Sequence, residues 1–573
     1  MGTITTSGVG LSALIMSLII TLTGCNDSSE ITSPVAKDFA SKAESNKRPN
    51  ILVILADDMG FGDIGAFGSE IQTPNVDKLA KQGIHLTNFH VGAACSPTRT
   101  MLMTGVDNHL AGLGNMLEIQ ADNQFGKPGY EGHLNDSVVT IATLLRDSGY
   151  HTYMVGKWHL GHGEETIPAA RGFDRSFALM ESGADNWVEM PYAPMYEAVH
   201  YFEDENPVSL PTEDYYSSDY YTTKMIEWID ENHQDDKPFF GYVAYQAVHY
   251  PHQAPKEFID KYNGVYDAGW EALRNSRYER QKALGIISPD VKLAEQFTKT
   301  SFAPYLIPQW SQLDEEEKRF NIRRMQTYAG MVDNMDMNIG RLLGHLEKIG
   351  EADNTLILFM SDNGADPNLL PLSPDFKPWY EEHYDFVYQS DYNGDYSKMG
   401  QKGSFADYGP GWASASNTPG SYYKTFSTEG GLRVPFIARF PGKIPAGLSS
   451  NEFAFVKDVV PTLLQVAGVE VPGNTYKGKT INPITGVSMW EGLTGKAETF
   501  HSPSETIGYE LAGSSAVFQG RYKLVQNLPP KGTGAWELYD MNVDPSEVNN
   551  LAVDKPELVA ELKQAYETYE KEN

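Results

Sequence analysis

The run NILVILADD at residues 50–58 has seven residues with almost no polar interruption and passes straight into two carboxylates. Such a run lacks the in–out alternation of a half-exposed strand, so it predicts a strand buried on both faces, as in a parallel sheet covered by helices. The units that follow keep to this plan. In TPNVDKLAKQG, Thr73 is placed to cap a helix, Pro74 to open it and Gly83 to stop it. A short strand, HLTNFHVG, leads to Cys95. Helical spacing in SVVTIATLLRDSGY precedes the strand HTYMVGKWHLG, and a helix over 219–233 precedes KPFFGYVAYQAVHYPH. The helix VDNMDMNIGRLLGHLEKIG then feeds the strand TLILFMSDNG. Strand–helix alternation of this kind predicts an α/β fold with a mostly parallel central sheet flanked by helices.

In such sheets, ligands gather where loops leave the carboxyl ends of the strands. Four apolar runs here end in polar clusters: Asp57-Asp58, Lys157-Trp158-His159, His249, and Asp362-Asn363. Together they predict one site. From about residue 441 the texture changes, with a helix in VKDVVPTLLQVAG, strand candidates SAVFQG, RYKLVQN and WELYD, and a terminal helix after Pro556. Residues 49–440 therefore read as the main domain, and 441–573 as a small C-terminal α+β subdomain with a small antiparallel sheet. The Tyr-, Gly- and Ser-rich segment 364–423 shows little periodicity and reads as a long functional loop.

Lys and Arg number 45 against 76 Asp and Glu, a net charge of −31. That balance argues against nucleic acid or an anionic membrane surface as a partner. An anionic substrate would need a local cluster of Lys, Arg and His to draw it in. Two cysteines cannot form a disulfide framework. The first, Cys25, closes the apolar stretch LSALIMSLIITLTGC, which has the length of a signal-peptide core. Leu22-Thr23-Gly24-Cys25 resembles the lipobox of bacterial lipoproteins, although no Lys or Arg precedes the apolar run. The resemblance implies a signal peptide at 1–24, lipidation of Cys25, a flexible tether at 25–48 and an exported, periplasmic or cell-surface protein.

The second cysteine begins Cys95-Ser96-Pro97-Thr98-Arg99. Pro97 suits a first helical turn, which puts Cys95 at the positive end of a helix dipole, where anions bind. Arg99, one turn on, lies along the same face. A buried structural cysteine beside an ordinary helix start would have the same local look.

Cys-x-Pro-x-Arg followed by TMLMTG resembles the signature of the type I sulfatases. The motifs NILVILADDMGFGD, GKWHLG, KPFFGYVAYQAVHYPHQAP, LFMSDNGA and KTFSTEGGLRVP match that family in order along the mature chain. KPGYEGHLNDSVVTIATLLRDSGY, YDAGWEALR and MDMNIGRLLGHL are similar in particular to bacterial arylsulfatases. The resemblance implies an alkaline-phosphatase-like catalytic domain over 49–440 that hydrolyses sulfate monoesters. It implies that Cys95 is oxidised by a formylglycine-generating enzyme to Cα-formylglycine, whose hydrated aldehyde is the nucleophile.

One Ca²⁺ is implied, on Asp57, Asp58, the converted Cys95, Asp362 and Asn363. The donors fit independently, being hard oxygens suited to Ca²⁺ or Mg²⁺ rather than zinc. Lys157, His249 and Lys424 are expected on the substrate sulfate, Arg99 on the hydrate, and His159 as the base. For the general acid, His249 is favoured over Lys424, because an imidazole titrates near neutrality. Glu429, Gly430, Gly431 and Arg433 are assigned to a turn and structural pairing, and His252 to no catalytic role. Tyr- and Trp-rich stretches at 181–221 and 373–423 are candidates for stacking on an aryl group or a sugar face of a sulfated small molecule or glycan. Two rivals remain at this point: a phosphonate or phosphate monoesterase of the same superfamily, and a non-catalytic surface lipoprotein that binds anionic or sulfated glycans.

Overall fold

The computed structural model describes residues 47–295 and 306–573. The expected signal peptide, Cys25 and nearly all of the expected tether lie outside the described residues. Ten strands make the large sheet: β1 (Asn50–Ala56), β2 (Ile84–Leu86), β3 (His151–Lys157), β4 (Arg175–Leu179), β5 (Tyr201–Glu203), β6 (Asn206–Val208), β7 (Phe239–Ala244), β8 (Thr355–Ser361), β9 (Phe436–Arg439) and β10 (Leu448–Ser450). Their spatial order is β10-β2-β9-β8-β1-β7-β3-β4-β5-β6. The five strands from β8 to β4 are all parallel, and antiparallel pairings begin only outside them.

Every residue of β1 is buried. Ile51, Val53 and Leu55 enter one apolar cluster, while Leu52, Ile54 and Ala56 enter another on the opposite face. Side chains alternate across a strand, so both faces being covered is what makes the sequence continuously apolar.

Helices supply the covers. On one side lie α1 (Pro74–Gln82), α4 (Ser217–Asn232) and the long α5 (Glu315–Lys348), and on the other α2 (Cys95–Thr104) and α3 (Ile141–Asp147). The expected helix from 332 is thus the second half of a 34-residue helix. Asp314 starts it by accepting the amides of Glu316 and Glu317, and Glu317 returns to the amide of Asp314 at 2.8 Å, a capping box.

Two local expectations change. Thr73 stands at the start of α1 but does not cap it, because its hydroxyl accepts from Gly65 N and donates to Asp77. Asp336, from the middle of α5, accepts the amides of Asn75 and Val76 at 3.1 and 2.8 Å and does the capping instead. Helix α3 is shorter than its sequence pattern, since Thr140 Oγ1 caps the amide of Thr143 and leaves 137–139 outside.

Strand β10 lies beyond residue 441 and still pairs with β2 in the large sheet. The small sheet begins at Thr506: β11 (Thr506–Leu511), β12 (Ser514–Gln519), β13 (Tyr522–Gln526) and β14 (Glu537–Asp540) form an antiparallel meander. Its outer face packs on the terminal helix Pro556–Glu572 through Val517, Leu524, Leu538, Leu562 and Tyr566. The segment 364–423 is not one open loop. It contains the helices Lys377–His383 and Gly409–Ser416 and shares an aromatic cluster with Tyr192 and Tyr250. Among the described residues, no helix is long and apolar enough to cross a membrane.

Candidate active site

The four polar strand ends come from four neighbouring strands, β8, β1, β7 and β3. Register keeps them level: Ala56 is opposite Ser361, and Gly156 is opposite Ala244. Asp57 and Asp362 are therefore the first residues past adjacent strands, and the amide of Asp362 still donates to the carbonyl of Ala56 at 3.2 Å. The chain then turns sharply at Asp58, whose φ is +63°, and the amide of Asp58 donates to Asp362 Oδ1 at 3.1 Å.

Helix α2 aims its first residue, Cys95, into this cluster. The thiol lies 3.5 Å from Asp57 Oδ1 and 3.6 Å from Asp58 Oδ1. Burial, reinforced by Asp362, holds its pKa well above the usual thiol range. A thiolate is thus disfavoured here, and an unmodified Cys95 would be a poor nucleophile.

Three buried cations surround the carboxylates. Lys157 Nζ sits 2.7 and 2.9 Å from the two oxygens of Asp57. Lys424 Nζ is 2.8 Å from Asp58 and 3.3 Å from Asp366. Arg99 donates from Nε to Asp362 at 2.9 Å and from Nη1 to the carbonyl of Lys157 at 2.8 Å, with Nη2 3.6 Å from Asp57. It thereby ties α2 to the ends of β3 and β8. Lys424 is held by its backbone: its amide donates to Ala365, and that of Thr425, at φ +71°, donates to Ala93 beside Cys95. A β-branched residue in the left-handed region is strained, and the packing around it has to hold it there.

The two histidines differ in how they are tethered. His159, at φ +57°, places Nε2 3.2 Å from Glu118, while its buried Nδ1 has no hydrogen-bond partner. Burial keeps this ring below the usual imidazole pKa despite the pull of Glu118. His249 donates from Nδ1 to the carbonyl of Tyr250 at 2.6 Å, which turns Nε2 toward Asp58 at 3.6 Å. Burial pushes its pKa well below normal, so the ring is neutral at rest.

A metal fits this donor set. The ligand atoms of Asp57, Asp58, Cys95 and Asp362 all lie within 4.8 Å of one another. Asn363 gives its amide hydrogens to Asp58 at 2.7 Å and to the carbonyl of Gly364, which leaves its Oδ1 buried with no partner. A buried acceptor without a donor is costly unless something else satisfies it. Charge leads the same way: four buried carboxylates, Asp57, Asp58, Asp362 and Asp366, face only three buried cations, Lys157, Lys424 and Arg99. Burial pushes Asp57 up to about 7 even with Lys157 beside it. One more cation among these oxygens would reverse that shift.

Asp57, Asp58, Cys95, Arg99, Lys157, His159, His249, Asp362, Asn363 and Lys424 are thus gathered at one end of the sheet. Glu429 and Arg433 stand apart from them in a buried network, where Glu429 contacts His90 at 3.0 Å, Lys523 at 2.8 Å and Arg433 at 3.9 Å. His252 is packed between Tyr328 and Tyr408. Two neighbours of the site went unrecognised in the sequence. Asp366 was legible in principle, three residues past Asn363; Glu118 had no signal, lying 41 residues before the ring it holds. Several aromatics of the Tyr-rich stretches, among them Tyr192, Tyr380 and Tyr384, are buried against one another and against Tyr250 and Phe405 rather than facing solvent.

The sulfatase family model matches residues 49–469, and the C-terminal model described as N-sulphoglucosamine sulphohydrolase matches 419–572. An uncharacterized sulfatase of Schizosaccharomyces pombe is 40% identical over 548 residues, 93% of this chain and 95% of that protein. An arylsulfatase of Klebsiella aerogenes is 39% identical over 450 residues, covering 78% of this chain and 92% of its own. Among solved structures, Ps i-CgsB in complex with k-i-k-neocarrahexaose shares the fold with TM-score 0.64 at 23% identity, over 91% of this chain and 93% of that one. With a family match across most of its length, carried by a cysteine at a helix start among carboxylates and cations, the chain belongs to the sulfatase family.

Proposed function

We propose that this enzyme hydrolyses sulfate monoesters of the aryl type to a phenol or alcohol and inorganic sulfate, at the chamber floored by Asp57, Asp58, Cys95 and Asp362. The observation that carries the reading is the placement of Cys95: first residue of a helix, within 3.6 Å of two carboxylates and too poor in thiolate to act as a thiol. Conversion to formylglycine by a generating enzyme would supply a hydroxyl nucleophile at that position. Asp57, Asp58, Asp362 and Asn363, with the converted Cys95, would hold one Ca²⁺, which supplies Lewis-acid polarisation of sulfate oxygens.

The chain's own residues do the rest. Lys157 and Lys424 neutralise sulfate charge from two sides in a water-poor site, where fixed charges act strongly. Arg99 clamps Asp362 and the end of β3, so the floor keeps its shape. His159, held through Nε2 by Glu118, presents Nδ1 as the proton acceptor. His249 has its Nδ1 proton committed to Tyr250, so a proton for the leaving oxygen must ride on Nε2 of the imidazolium. An anion beside the ring favours that charged form.

The N-terminal pattern supports export, with a signal peptide at 1–24, a lipid on Cys25 and a periplasmic or cell-surface location. The k-i-k-neocarrahexaose in the name of one structural relative belongs to that protein; here a glycan sulfate joins aryl sulfates as a substrate class to be assayed. The test is peptide mass analysis of the AACSPTR region together with turnover of p-nitrophenyl sulfate. Formylglycine is about 18 Da lighter than cysteine. Active protein with a wholly unmodified Cys95 would overturn the proposal, and an unconverted, inactive protein that binds sulfated glycans would favour the binding-protein rival.

A further inference from the structure

A second cluster of metal-binding side chains lies outside the reaction chamber. His162 lies in the loop that carries His159, Glu181 stands two residues past β4, and His200 immediately precedes β5. Their ligand atoms all lie within 4.8 Å of one another. Glu181 is only 1% exposed, whereas the side chains of His162 and His200 are 44% and 58% exposed. Glu181 Oε2 accepts the amide of His200 at 2.8 Å, and its Oε1 faces His200 Nδ1 at 2.6 Å and His162 Nδ1 at 3.6 Å. Here a buried carboxylate is fixed by the backbone while two exposed imidazoles converge on its one remaining oxygen.

We propose that His162, Glu181 and His200 form a second metal site, which takes a divalent ion of the zinc class and clamps the 181–200 segment to the loop bearing His159. Two imidazoles and one carboxylate are the donors that Zn²⁺ favours, with water as the fourth ligand, whereas Ca²⁺ selects all-oxygen sets. Metal–ligand bonds of about 2.0–2.1 Å at tetrahedral angles put ligand atoms roughly 3.3 Å apart. His162 already stands near that separation from Glu181. His200 has to open from hydrogen-bond distance by roughly 0.7 Å, which a solvent-exposed ring does at little cost.

The clamp bears on the chamber because Glu181 and His200 are the two ends of one segment. That segment carries Tyr192, whose ring packs edge-on against His249 with centroids 5.1 Å apart, and Tyr196, which donates to the Glu118 that holds His159. An ion at its base would stabilise the chamber wall and leave the chemistry to the first cluster.

Protein kept in excess Ca²⁺ is titrated with ZnCl₂ by calorimetry, and its melting temperature is followed with and without zinc. The wild type is expected to bind one zinc equivalent that the His162→Ala/His200→Ala variant lacks, with each single change weakening that step at least about tenfold. Zinc should raise the melting temperature of the wild type and not that of the double variant. Both imidazoles are exposed, so neither substitution threatens folding, and zinc that enters the calcium site appears equally in all variants. Identical isotherms for wild type and double variant would overturn the proposal and leave His200 and Glu181 as a hydrogen-bonded pair only.

Discussion

Glu118 lies 3.2 Å from Nε2 of His159, on the far side of the ring from the partnerless Nδ1. A ring held through one nitrogen can present only the other. His159→Ala should remove the proposed base itself, and Glu118→Gln should remove the charge that holds it. The second variant is expected to lose about 10- to 100-fold in kcat, part of the roughly 10²–10⁴-fold that general acid–base catalysis contributes. The pH profile separates orientation from mere structural damage. A base works in its neutral form, so the acid limb of activity marks the pKa of His159; burial lowers that pKa most and Glu118 raises it. Without the Glu118 charge, the acid limb should move to lower pH, and an unmoved limb would count against this role.

Asp362 binds the Arg99 guanidinium and also belongs to the carboxylate and cysteine group proposed to hold the metal. Asp362→Ala is expected to lose bound calcium and activity together. Elemental analysis of the purified variant checks it, and full calcium occupancy would place the ion elsewhere.

Leaving-group dependence should divide His249 from Lys424. His249→Ala is expected to lose far more kcat/KM on alkyl or sugar sulfates than on p-nitrophenyl sulfate, because a good leaving group needs little help from an acid. Lys424→Ala should weaken all substrates more evenly, since its Nζ sits between Asp58 and Asp366 as a fixed charge. Phenyl sulfates of graded leaving-group pKa decide the matter, and a steep dependence for Lys424→Ala alone would reverse the two roles.

Away from the chemistry, Lys523 lies 2.8 Å from Glu429 and 2.9 Å from Glu547, with all three buried. Lys523→Met would take the ammonium from between two buried carboxylates, leaving His90 and Arg433 beside Glu429, a loss of about 3–5 kcal/mol for a broken buried pair. The urea midpoint should fall, and an unchanged midpoint would show that the network adds no stability.

What the sequence reveals here follows from where energy is local. The parallel strands are legible because burial on both faces leaves β1 and β8 no room for polar residues, so composition alone marks them. The site is legible because Asp57, Lys157 and Asp362 adjoin those strands, and Cys95 carries its own helix-start signature. Short edge strands such as β6 and β10, three residues each and mostly exposed, offer no period to read. Nor can local patterns reveal a cap such as Asp336 on α1, supplied from 260 residues away. The aromatics of 364–423 have no regular spacing because they pack partly on one another and partly on Tyr192 and Tyr250, which the chain supplies from far away.

The central position of β1 also sets a timetable for the growing polypeptide. Its two sheet neighbours begin at Phe239 and Thr355. At about 5–20 residues per second of translation, the second arrives roughly 15–60 s after β1 itself. Throughout that interval an apolar ribbon that the fold buries on both faces has an open hydrogen-bonding edge, the state in which nascent chains stick to one another. A protein built around the first of its described strands therefore depends on its cell to shelter that strand until the middle of the chain has been made.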